Sequence, residues 1–138
     1  TDEFKRKSYE DLCKFAKEFH FKVKEKAFVI NDFSEFMKWY NLVNSKDYKY
    51  DNQYIEGFVF EDSENKMCKI KTSYYKMWKY LRGRIEVIKK YNLSYEQVKC
   101  NSNILNYQEI NSFLKWYCEN RNEITEEKII DIREKYLS

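Results

Sequence analysis

Two glycines and no proline in 138 residues leave this chain few ways to turn, and that scarcity constrains its fold more than any other feature. Gly/Ser linkers, proline-rich ligands and collagen-like segments all need the missing residues. So do the P-loop and the GxGxxG dinucleotide fingerprint, whose phosphate-cradling turns take several glycines close together. The chain is instead dense in rings and charge, with Tyr 13, Phe 10, Trp 3 and 36% charged residues. That much aromatic area offsets ordering entropy, so a disordered tail is excluded. The length suits one domain or part of one. A formal net charge of +3 permits a nucleic-acid partner without requiring one.

No run of about twenty apolar residues exists, so no bilayer span and no membrane partner are expected. The stretch Thr1 to Lys7 has no apolar core behind its basic residues and does not read as a signal peptide. Cys13, Cys68, Cys100 and Cys118 are far apart and form no CxxC, which argues against a structural zinc. They read as reduced core thiols of a cytoplasmic protein. His20 is the single histidine and reads as a residue closing a helix rather than as a catalyst.

Ser8 with Asp11 resembles a capping box, followed by Tyr9, Leu12, Cys13, Ala16 and Phe19 on one helical face. Lys22 to Ile30 is expected as a short strand, carried by Val23, Ala27, Phe28, Val29 and Ile30. Asp32 with Glu35 opens a second helix striped by Phe33, Phe36, Met37, Tyr40 and Val43. Asn44 to Gln53 is polar, Tyr-rich and expected as a loop. The period then shortens. Ile55 to Glu61 and Met67 to Lys71 are β-type runs separated by Asp62 to Lys66, a polar turn of hairpin length. Beyond Ser73 the chain reads as helical, with a stripe of Tyr74, Trp78, Leu81, Ile85 and Ile88. Further caps are expected at Ser94 with Gln97, Asn106 with Glu109, and Thr125, while Trp116 and Tyr117 read as core.

The hairpin is where chemistry concentrates. Side chains alternate along a strand, so Lys69 and Lys71 share one face and Cys68 and Ile70 the other. Like charges so placed repel, and partial burial worsens the repulsion. A phosphate accepting charge-assisted hydrogen bonds from both ammonium groups removes that cost. Gly57 sits where a missing side chain lets a flat ring approach the backbone. The simpler alternative is an edge strand kept from aggregating by its lysines. Glu56 shares a face with Phe58 and Phe60, and reads equally as a metal-associated carboxylate or as a surface partner of a lysine.

These residues resemble a known family. Glu56-Gly57-Phe58-Val59 is similar to motif IV of the covalent nucleotidyltransferases, and Lys69-Ile70-Lys71 to their motif V. Their order and spacing resemble the RNA ligase family typified by phage T4 RNA ligase 1, and Tyr74 and Tyr75 fit the tyrosine that follows motif V there. The resemblance implies an α+β chain. Residues 1–72 would be a helix–strand–helix and β-hairpin from the end of a nucleotidyltransferase domain, and residues 73–138 an all-helical C-terminal domain. It further implies ATP and Mg²⁺ as cofactors and RNA as partner. Lys69 and Lys71 would act at the α-phosphate as catalytic residues, Glu56, Gly57 and Phe58 would line the nucleotide site, and Glu56 would be associated with the metal. Lys76, Lys79, Arg82 and Arg84, interleaved with Tyr75, Trp78 and Tyr80, are candidate RNA contacts, although a solvated charged face over an aromatic stripe explains them more simply.

One departure is severe. The family attacks ATP with the lysine of a Lys-x-x-Gly motif, but the residues three before Gly57 and Gly83 are Tyr54 and Tyr80. The expectation is therefore a C-terminal part of a ligase, inactive alone and dependent on a missing N-terminal half for its nucleophile. The rival expectation is a non-enzymatic helical module that binds RNA or protein.

Overall fold

A computed structural model describes residues 7–138; the first six residues of the stretch read above for a signal peptide lie outside the described residues. The fold is α+β, with six helices and a two-stranded antiparallel hairpin among the described residues. The order is α1 (Tyr9–Phe19), α2 (Phe33–Val43), β1 (Gly57–Glu61), β2 (Met67–Lys71), α3 (Ser73–Tyr91), α4 (Tyr95–Val98), α5 (Tyr107–Asn120) and α6 (Ile129–Leu137).

Local chemistry sets most boundaries. The Asp11 amide donates to Ser8 Oγ at 3.2 Å, and the Glu35 amide donates to the Asp32 carboxylate at 2.8 Å. The Ser94 amide donates back to the Gln97 side chain at 2.9 Å, satisfying groups that helix starts leave orphaned. Left-handed positions go to Asn52, Asn65, Asn92, Asn106, Asp51 and His20, which is how a chain so poor in glycine still turns. Asp51 and Asn52 both take positive φ inside the Tyr50–Gln53 bridge, the backbone of a tight two-residue hairpin turn. His20 and Asn92 close α1 and α3 in the same conformation.

Four expectations are corrected. Residues 22–30 form no strand; an apolar run can join a sheet only where a ladder partner exists, and here Phe28 packs its ring on Trp39 and Phe58 instead. The last helix begins at Ile129 rather than at Thr125. Asn106 flanks α5 without a side-chain cap bond, because its left-handed backbone is not the extended one a cap needs. All four cysteines are free, but only Cys100 is buried, while Cys68 is exposed on β2.

The chain divides into two compact units. The first holds residues up to Asn41 together with Phe58–Ile70. Its centre is a ring cluster in which Trp39 lies 5.3 Å from Phe58 and 5.8 Å from Phe36, and Phe36 lies 5.5 Å from Phe60. The second holds Leu42–Gly57 and Lys71–Ser138. Leu81, Ile85 and Ile88 of α3 pack with Ile110, Phe113, Leu114 and Tyr117 of α5 and Ile132 of α6, so these three stripe residues and Tyr117 are core as expected, while Trp78 packs against that core half-buried and Tyr74 lies outside it. Trp116 packs against that core.

Thr72 anchors the start of α3. Only 1% exposed, its hydroxyl donates to the Ile55 carbonyl at 2.7 Å and accepts from the Tyr75 amide at 3.2 Å. Thr72→Val keeps the shape and orphans both partners, so a loss of about 1–3 kcal/mol in urea unfolding is expected. Gly83 lies mid-helix on the exposed side of α3, and a Cβ there meets nothing within 4 Å. Gly83→Ala is therefore expected to stabilise the chain by about 0.5–1 kcal/mol in the same measurement.

Candidate functional site

The hairpin register follows from its two ends. The Asp62 amide donates to the Lys66 carbonyl at 2.9 Å, and the Thr72 amide to the Glu56 carbonyl at 3.0 Å. The side chain of Asp62 also accepts from the amides of Glu64 and Lys66, pinning the turn that fixes this pairing. Gly57 therefore faces Lys71 and Val59 faces Lys69, while Phe58 and Phe60 face Ile70 and Cys68. In strict alternation the Glu56 side chain belongs to the phenylalanine face.

It nonetheless meets Lys71. The Lys71 ammonium contacts the Glu56 carboxylate and lies 4.7 Å from the centre of the Tyr75 ring. Gly57 makes this possible. Its φ of 156° is a value side chains rarely adopt, and it leaves no Cβ opposite Lys71 to block the reach. The Lys71 side chain is 31% exposed, so its charge is partly withdrawn from water and held by a carboxylate and a ring face.

The other expected residues are placed separately. Phe58 lies in the ring cluster of the first unit, 5.5 Å from Phe28. Lys69, in the same unit, is exposed. On α3, Lys76 donates to the Asn44 side chain at 3.3 Å, and Arg84 donates from Nε to the Tyr80 hydroxyl at 2.8 Å. Lys79 and Arg82 are exposed and have no ion-pair or hydrogen-bond partner among the described residues.

Glu56 also borders a cavity of about 330 Å³, entirely within the second unit. The lysines of β2 do not line it; Lys79, Arg82 and Arg133 supply its positive charge. Tyr54 stacks on Tyr74 at 4.2 Å and 6°, and Arg133 Nη1 donates to the Tyr74 hydroxyl at 2.6 Å. Burial pushes the Tyr74 phenol above its usual range, Arg133 opposes that shift, and Tyr54 adds to it. Sequence reasoning missed Tyr54 and Arg133. Neither belongs to a motif, and Arg133 reaches the cavity from a helix far along the chain.

Among the described residues no three or more His, Cys, Asp or Glu side chains gather into a metal-binding group. Mg²⁺ bound with a nucleotide asks less of a protein, one or two carboxylates completed by phosphate and water oxygens. Glu56 fits that demand.

The comparison with protein families supplies a class for the stretch that holds this hairpin: residues 1–75 match the model described as RNA ligase. Both strands lie inside the matched stretch, which covers more than half of the chain. The chain belongs to the T4 RNA ligase 1 family. No curated protein and no solved structure matches it. Among the described residues, no helix is long and apolar enough to cross a membrane.

Proposed function

We propose that this chain is the C-terminal part of an ATP-dependent RNA ligase of the cytoplasm, joining RNA ends through lysyl-AMP and RNA-adenylate. The observation that carries the reading is the meeting of Glu56 and Lys71 at the end of a hairpin inside the family-matched stretch. In the first step a lysine amine supplied elsewhere attacks the α-phosphorus of ATP. An N–P bond forms, the bond to the β-phosphate oxygen breaks, pyrophosphate leaves and the amine releases a proton. Lys71, with Lys69 two residues before it on β2, would stabilise the charge developing on the phosphate oxygens. A phosphate at Lys71 would compete with Glu56 for the ammonium and free that carboxylate to help hold Mg²⁺. Gly57 and Phe58 would shape the adenosine side. The reading assigns residues 1–72 to the nucleotidyltransferase domain and residues 73–138 to a helical domain that selects RNA.

Without a Lys-x-x-Gly the chain has no family nucleophile. Incubated alone with labelled ATP and Mg²⁺, it is expected to carry no covalent adenylate after denaturation; a stable adduct on any lysine would refute the assignment of the nucleophile to another segment. The rival, a non-enzymatic interaction module, draws support from the cationic and aromatic face of α3, where Lys76, Lys79 and Arg84 accompany Tyr80. Such a module would be indifferent to nucleotide.

A further inference from the structure

We propose that the cavity between Tyr54–Glu56, α3 and the start of α6 receives one unstacked nucleotide of a single-stranded RNA, its base against the aromatic wall and its phosphate on Lys79 and Arg82. The inference rests on the RNA reading above, and it names a site and ligand unit within the helical part.

The composition of the cavity specifies the ligand. Rings form one wall: Tyr54 stacked on Tyr74, with Trp78 6.3 Å from Tyr74. Arg133 holds that wall, its guanidinium 5.7 Å from the Tyr74 ring centre and 5.6 Å from that of Trp78. A preorganised aromatic surface of this kind accepts any base through its π face. The cations left over are Lys79 and Arg82, which have no partner among the described residues and so stand ready for phosphate oxygens. The indole of Trp78 lines the cavity too; its Nε1–H is buried with no acceptor among the described residues, as is that of Trp39, and it serves as a reporter of the cavity. The volume, about 330 Å³, lies in the range of small-ligand sites and suits one nucleotide.

A strand, rather than a free mononucleotide, is indicated by what adjoins the cavity. Lys79 lies on its rim and also on a shallower concavity lined by Lys76, Tyr80, Gly83 and Arg84. These residues recur at helical spacing, so the two concavities are neighbouring faces of α3 that share one lysine. A polymer can occupy both at once. Gly83 keeps the second face low, and nothing within the chain requires a glycine there.

The test follows the Trp78 indole N–H resonance, assigned by its disappearance in Trp78→Phe, as the chain is titrated with a single-stranded RNA hexamer, an abasic hexamer and AMP. The hexamer is expected to move it saturably, with the abasic strand and AMP each binding at least about tenfold more weakly. Tyr54→Ala and Arg82→Ala are each expected to weaken RNA binding by about tenfold or more, while Tyr54→Phe and Arg82→Lys restore most of it. RNA that binds without moving the indole, and with unchanged affinity in Arg82→Ala, overturns the cavity and leaves the ligase reading intact. AMP that moves the indole at concentrations as low as the hexamer does overturns the strand assignment. No RNA binding even at low salt overturns both the cavity and the RNA-selecting role of the helical part. Nucleotide contacts at the hairpin are read from the backbone amides of Lys69 and Lys71, which do not line the cavity, and stand or fall separately.

Discussion

Phe113→Ala is expected to destabilise the helical unit by about 3–5 kcal/mol, since Phe113 is the largest fully buried side chain among the described residues. Phe113 is 1% exposed and sits where α3, α5 and α6 converge. Its ring lies 5.2 Å from Trp78 and 5.1 Å from Tyr136, both edge-to-face, and 5.7 Å from Trp116. Truncation removes the buried ring and opens a cavity that flanking aromatics, too rigid to collapse inward, leave unfilled. Domains have only about 5–15 kcal/mol in hand, so the melting temperature is expected to fall by more than about 10 °C. Phe113→Leu keeps most of the volume and is expected to cost clearly less. Urea unfolding of both variants checks the pair. A loss below about 1 kcal/mol for the alanine variant would mean that the three helices do not share one core.

Lys71→Ala is expected to weaken Mg·ATP binding by roughly tenfold to a hundredfold, the worth of one charge-assisted hydrogen bond to a phosphate in a partly shielded position. Calorimetric titration of the 138-residue chain measures it directly. The variant also orphans Glu56, whose carboxylate then repels the incoming phosphates. Glu56→Gln separates the two meanings that the sequence left open for that residue. If Glu56 only occupies Lys71, its removal tightens ATP binding with and without Mg²⁺. If it helps hold the ion, removal tightens binding without Mg²⁺ and weakens binding with it, and the second pattern is expected. A Lys71→Ala variant that binds ATP like the parent would remove the phosphate role from this lysine.

Much of the fold was legible because its signals are local. Ser8 with Asp11, Asp32 with Glu35, and Ser94 with Gln97 place side chains three residues apart on backbone they themselves satisfy. The α3 stripe was legible because its period matches the helix. Residues 22–30 misled because an apolar run is read as a strand to be buried, whereas here Ala27, Phe28 and Val29 stay exposed and no ladder partner is present among the described residues. The hairpin was read correctly, but its register depends on how Asp62 folds the turn, so the face of Glu56 stayed open. The contact of Glu56 with Lys71 then needed a further step, the positive φ of Gly57. The cavity was illegible for a different reason: Tyr54, Trp78 and Arg133 come from three separate segments, and only tertiary packing brings them together.

The direct test of the hairpin as a nucleotide-phosphate site is a ¹H–¹⁵N titration of the chain with Mg·ATP. Saturable shifts are expected at the amides of Glu56, Gly57, Lys69 and Lys71, reduced in Lys71→Ala and absent with adenosine alone. Amides at those four positions that stay fixed while Mg·ATP reaches millimolar concentration would contradict it.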